Sequence, residues 1–167
     1  MATVHIIHGF IAFGKSTLAA KLAKELPAVL FNYDLISRKL YDFEKMSDQE
    51  FKERMDLMDD FIWDCIGQII KCGADVVLDC GPRSKKSRKR IYDTAKQFTD
   101  NIIFHSIVME PAVARERLIK RNQETTGQGH VLLKFFDEKL PRYEPITDDE
   151  GYPVKYYSNE SGLELLK

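Results

Sequence analysis

"HGFIAFGKST", residues 8–17, sets Gly9 four residues ahead of Gly14-Lys15-Ser16-Thr17 and so satisfies the spacing G-x-x-x-x-G-K-S/T. Upstream lies "TVHIIH" (3–8), rich in β-branched residues. Downstream, "KSTLAAKLAKEL" (15–26) carries Leu18, Leu22 and Leu26 four residues apart, as on one face of a helix. The motif therefore falls between a strand and a helix, where consecutive backbone N–H groups converge on a concave point that favours a phosphate anion. In this reading Gly9, Phe10, Ile11, Ala12, Phe13, Gly14, Lys15, Ser16 and Thr17 wrap the phosphates of a nucleotide. Lys15 reaches the outer phosphates as a point charge, and Ser16 offers its hydroxyl to magnesium. The loop's central residues need present only backbone, so the side chains of Phe10, Ile11 and Phe13 can pack inward or form a pocket wall; core packing is the expectation for all three.

The 167 residues suit a single domain, 1–167. Charged residues make up 31% but the net charge is −1, so no global field recruits nucleic acid or membrane. Cys65, Cys72 and Cys80 lack the paired spacings of a zinc site and read as reduced thiols of a cytoplasmic protein. The apolar first dozen residues have no basic leader, and no apolar stretch is long enough to span a bilayer.

Four β-rich runs, at 3–8, 28–33, 74–80 and 101–108, alternate with helical patterns. That order predicts an α/β three-layer fold, a phosphate-loop nucleotide-binding domain with a central parallel sheet of about five strands and helices on both faces. "VKYY" (154–157) is the candidate fifth strand. Ser47 with Glu50 forms a capping box for a long helix that Gly73 closes. Its stripe of Phe51, Met55, Met58, Ile62, Cys65, Ile66 and Ile69 is expected in the core, with Trp63 mostly on another face. Pro111 opens a further helix that should fray near Asn122. The polar, glycine-bearing segment 122–130 reads as a flexible lid before a helix that Pro141 ends.

In an open parallel sheet ligands bind beyond the carboxyl ends of the strands, which assembles a site from distant segments. The loop follows strand one, Asp34 strand two and Asp79 strand three. Asp79 ends "DVVLD", where an acid can hold magnesium, or alternatively cap the next turn. Asp34 can take a proton from an attacking hydroxyl, or cap the helix "LISRKLYDF". Arg117 and Arg121, four apart beside the lid, can close onto phosphates or pair with surface acids such as Glu110 and Glu116. "RSKKSRKR" (83–90) carries six basic residues; most are expected on a solvated helix face, with Arg83 nearest the strand end. None of the four histidines has metal-ligand spacing.

The loop at 9–17, "YDLISRKL", "VVLDCGPRSKKSRKR", "ARERLIKRN" and "RYEPITDDEG" together resemble the small phosphate-loop kinases related to zeta toxins, chloramphenicol phosphotransferase, gluconate kinases and phage-type polynucleotide 5′-hydroxyl kinases. The resemblance covers nearly the whole chain. It implies that Asp34 is the catalytic base, that Arg38 helps hold acceptor or phosphate, though one residue further on than in the polynucleotide kinases, and that Arg121 serves from the lid. The further lid arginine of the family has no counterpart in "QETTG". No guanine-reading N-K-x-D segment is present, so ATP is the expected nucleotide. The implied activity is magnesium-dependent transfer of the γ-phosphate of ATP to an alcohol of a small molecule; Arg83 is assigned to the acceptor from its own position, nearest the strand end. The alternatives are a 5′-hydroxyl nucleic-acid kinase, suggested by 83–90, and a low-turnover nucleotide-binding switch.

Overall fold

In the computed structural model residues 1–124 and 131–167 are described, Glu44 by its backbone only. Strand β1 (Val4–His8) is buried along its whole length and occupies the centre of the sheet. Its neighbours are β3 (Val76–Asp79) and β4 (Ile102–Val108), both parallel to it; β2 (Val29–Asn32) lies outside β3, and β5 (Val154–Ser158) outside β4. The strand order β2-β3-β1-β4-β5 carries the five expected parallel strands. A short antiparallel β6 (Glu164–Leu165) pairs with β5 and adds a sixth that the sequence did not suggest. "VKYY" is indeed in β5.

Each face of the sheet buries its own core. On one side Val4, Ile6, Val76, Leu78 and Phe104 meet Met58, Ile62 and Ile66 of α3 (Asp48–Lys71) and Ile91 and Ala95 of α4 (Lys85–Ala95). On the other, Ile7, Val77 and Ile107 meet Leu18 and Leu22 of α1 (Lys15–Glu25), Ala114 and Leu118 of α5 (Pro111–Glu124), and Phe136 of α6 (Leu133–Lys139). This is the three-layer arrangement expected of strands joined by helical crossovers.

The capping box of α3 is formed as read, Ser47 and Glu50 satisfying each other's backbone N–H groups, and Gly73 follows the helix at φ +82°. Two residues of that helix depart from expectation. Trp63 is 7% exposed and stacks on Phe98, whose ring lies against the gap left by Gly67. Phe51 is 44% exposed instead of packed in the core. Helix α5 runs two residues past Asn122. From residue 125 onward the expected lid at 122–130 lies outside the described residues. Pro141 follows α6 within a 3₁₀ turn, Leu140–Arg142.

The largest correction falls on the basic run 83–90. Arg88 is fully buried, not solvated. Its guanidinium donates to both carboxylate oxygens of Glu150, at 2.8 and 2.7 Å, and to the carbonyls of Glu144 and Pro145 at 2.6 and 3.3 Å. Its Nη1 also lies 3.3 Å from His8 Nε2, so one planar cation ties α4 and the 144–150 segment to the end of β1.

Candidate active site

The phosphate loop takes its shape from backbone conformations that only a few residues tolerate. Gly9 (φ +151°) and Gly14 (φ +95°) occupy them at no steric cost, whereas Ala12 sits at φ +63° with a side chain. A Cβ on Gly14 would collide with the amide of Asn159, which donates to the Phe13 carbonyl at 2.8 Å and closes the loop against the end of β5. Phe10 and Phe13 are buried as expected and edge-on to one another; Tyr143 meets Phe13 edge-on and Phe10 at a tilt. Ile11 instead contributes a wall of the cleft.

That cleft, about 550 Å³, opens at the carboxyl ends of β1, β2 and β3. Lys15, Asp34, Arg38, Asp79, Arg83 and Arg121 all line it, together with Cys80, Gly81, Ile11, Leu35, Phe51, Val131 and Phe135. Six charged residues read from four separate stretches of sequence thus converge on one space. Ser16 and Thr17 stand exposed in the first turn of α1.

Parallel pairing puts Asn32 beside Asp79, and the Asn32 amide donates to the Asp79 carboxylate at 2.8 Å while lying 3.5 Å from the Ser16 hydroxyl. Asn32 also caps α2 (Tyr33–Leu40), accepting from the Leu35 N–H at 2.8 Å. The capping role considered for Asp34 therefore belongs to Asn32, and Asp34 is exposed in the first turn of α2 with its side chain on the cleft. Asn32 was missed from sequence because its significance depends on the strand register, although an Asn at a strand-to-helix junction is itself a capping signal.

Burial pulls the Lys15 pKa down, opposed by the carboxylates of Asp79 and Asp34. The Lys15 ammonium donates to the Phe10 carbonyl at 2.8 Å and its stem passes Gly81, where an added Cβ would lie 3.4 Å from Cε. Burial likewise raises the Asp79 carboxyl, against the pull of Ser16 and Lys15. Ser16 and Asp79 form a pair of hard oxygen donors, and among the described residues no cluster of three or more His, Cys, Asp or Glu can hold a metal. Such a pair fits magnesium, which takes few protein ligands and fills its octahedron with phosphate and water.

Arg117 does not line the cleft; its guanidinium donates to the Glu160 carbonyl at 2.7 Å, past the end of β5. Of the basic run, Lys85, Lys89 and Arg90 face Asp149, Asp93 and Asp59 at 3.0, 2.7 and 3.6 Å. Cys65, Cys72 and Cys80 are free thiols, and no helix among the described residues is long and apolar enough to cross a membrane.

A glycine-framed loop between the central strand and its helix, with strand-end acids on the same edge, defines a phosphate-loop nucleotide-binding domain of kinase-like build. The AAA domain family profile (AAA_33) matches residues 4–146, and the chain belongs to that family. Solved structures share the fold. A candidate kinase from Chloroflexus aurantiacus J-10-fl is 20% identical with a TM-score of 0.69, over 96% of this chain and 86% of that one. Chaetomium thermophilum Kti12, in complex with ADP-AlF3, is 17% identical with a TM-score of 0.69, over 93% and 88%. A gluconokinase from Sinorhizobium meliloti 1021 is 14% identical with a TM-score of 0.59, over 93% and 82%. No curated protein matches the chain.

Proposed function

We propose that the protein, one domain over 1–167, is an ATP- and magnesium-dependent phosphotransferase acting on an alcohol group of a small molecule in the cytoplasm. The observation that carries the reading is the convergence of Lys15, Asp79, Asp34, Arg38, Arg83 and Arg121 on one cleft beside the phosphate loop. The loop N–H groups and Lys15 hold the triphosphate. Ser16 and Asp79 hold magnesium, which neutralises charge on the outer phosphates when bound. Asp34 accepts the acceptor's hydroxyl proton as the oxygen bonds to the γ-phosphorus and the bond to the bridging oxygen breaks, so ADP leaves with the electron pair. Arg121 balances charge on the moving phosphoryl group, and Arg38 and Arg83 orient the acceptor; Arg117, held on the Glu160 carbonyl away from the cleft, is given no part in it.

Among structures of this fold, a gluconokinase and a sugar kinase from Janibacter sp. HTCC2649 carry sugar-type names, and a Pnkp1/Rnl/Hen1 complex is described as an RNA repair complex. A 5′-hydroxyl nucleic-acid kinase is the second reading, motivated by residues 83–90. The structure gives it less support, because Lys85, Arg88, Lys89 and Arg90 already face carboxylates. Binding of a short oligonucleotide that weakens steeply with salt would favour it over the small-molecule reading. The decisive test of phosphotransfer is a product screen with ATP, magnesium and pooled hydroxyl acceptors. Phosphorylated product supports the reading, and tight ATP binding with no product from any acceptor contradicts it in favour of a nucleotide-binding switch.

A further inference from the structure

The cleft is not walled by charge alone. Leu35 of α2, Phe51 of α3 and Phe135 of α6 are 55%, 44% and 41% exposed, and all three line it. A single exposed apolar side chain is ordinary, but three from separate elements converging on one cavity form a recognition surface. Ile11 and Val131 extend it.

The two rings approach from opposite faces of the sheet, since α3 packs with one core and α6 with the other. Phe51 is braced from behind. Its ring packs edge-on against Phe43, 5.4 Å between centroids, and Phe43 in turn packs against Tyr41 at 6.3 Å. Phe135 has the Lys139 ammonium 5.2 Å from its centroid. A ring held as Phe51 is by Phe43 offers apolar surface to a ligand without ordering a mobile side chain first.

Resting on the kinase reading, we propose that the acceptor is an alcohol carrying an aromatic ring, whose flat apolar face lies against Phe51 and Phe135 while its hydroxyl reaches Asp34. A polyol such as gluconate leaves these side chains wet and gains nothing from them. An aromatic alcohol buries apolar area and stacks on the rings. Arg38 and Arg83 line the same cleft and meet its polar substituents.

The test uses the full chain with adenosine, uridine and phenylethanediol in one arm, and gluconate, glucose and glycerol in the other. Calorimetric binding in the presence of a non-hydrolysable ATP analogue is measured beside phosphorylation with ATP. At least one aromatic alcohol should bind and be phosphorylated with kcat/KM tenfold or more above every polyol. Phe51→Ala should raise its KM and Kd about tenfold, leave ATP affinity unchanged and be rescued by Phe51→Tyr. Phosphorylation of polyols at equal or higher kcat/KM overturns the inference and leaves the kinase reading standing. Aromatic binding that Phe51→Ala weakens, without phosphorylation of any compound, upholds the apolar subsite and overturns the kinase reading. Binding of no aromatic probe, or binding indifferent to Phe51→Ala and Phe135→Ala, overturns the subsite.

Discussion

At the residue scale the phosphate loop holds its backbone against local preference. Ala12 holds a left-handed conformation that disfavours any side chain. Ala12→Gly is therefore expected to add roughly 0.5–1 kcal/mol of stability, the left-handed strain less the extra entropy glycine loses on folding. A thermal unfolding scan checks this, and an unchanged or lower Tm would contradict the strain. Gly14→Ala should do the reverse, because the added Cβ meets Asn159. The loop's identity was legible at this scale, since glycine spacing and Lys15-Ser16 are local features. The part played by Asn32 was not, because it follows from a strand register that pairs it with Asp79, 47 residues along the chain.

Among the elements, α4 departs furthest from its sequence pattern. Six basic residues in eight read as a wetted face, yet Arg88 is buried against the side chain of Glu150, itself only 5% exposed. Removing one partner strands the other as a buried charge, so Arg88→Ala should cost about 3–5 kcal/mol in urea unfolding. Arg88→Lys should recover little of it, because an ammonium cannot span two carboxylate oxygens and two carbonyls at once. Full stability in either variant would show that 144–150 is not held by this contact. Burial pushes the Glu150 carboxyl up, but the Arg88 hydrogen bonds and the Thr147 N–H outweigh it and hold it below the usual range. Sequence could not reveal this pair, whose members lie 62 residues apart. Helix spacing also misplaced Trp63 and Phe51, since periodicity marks one stripe and says nothing of a groove, such as that at Gly67, or a cleft that receives a second one.

For the molecule as a whole, the alternation of strands and helices fixed the layers, and the strand-end rule placed the phosphate loop, Asp34 and Asp79 on one edge, while Arg38 entered through the family resemblance, Arg121 through its place beside the lid and Arg83 through its nearness to the strand end. Beneath that edge the central strands bury histidines. His105 Nδ1 lies 2.9 Å from the Tyr157 hydroxyl and its Nε2 lies 3.0 Å from His5 Nδ1, while His8 meets Ser106 at 2.9 Å. Burial above all pushes His8 and His105 down to about 3; Arg88 and Lys15 add to the shift at His8, His5 and Lys155 at His105. A depressed histidine contributes stability that is present above the unfolded value near 6.5 and is lost as pH falls from there toward the folded value. Each should cost up to about 1.4 kcal/mol per pH unit across that window. The urea midpoint is thus expected to fall between pH 7 and pH 5, and to fall less in His105→Gln. A flat profile would contradict neutral burial of these rings.

The proposed role of Asp34, taking the acceptor proton beside a phosphate loop loaded with ATP, calls for ATP turnover measured with magnesium, with and without a pooled library of hydroxyl metabolites, antibiotics and oligonucleotides, for wild type and Asp34→Asn. Acceptor-stimulated turnover should be present in the wild type and fall by roughly 10²–10⁴-fold in the variant, with ATP affinity retained. Stimulated turnover that survives in Asp34→Asn, or tight ATP binding with no stimulation in either protein, would contradict it.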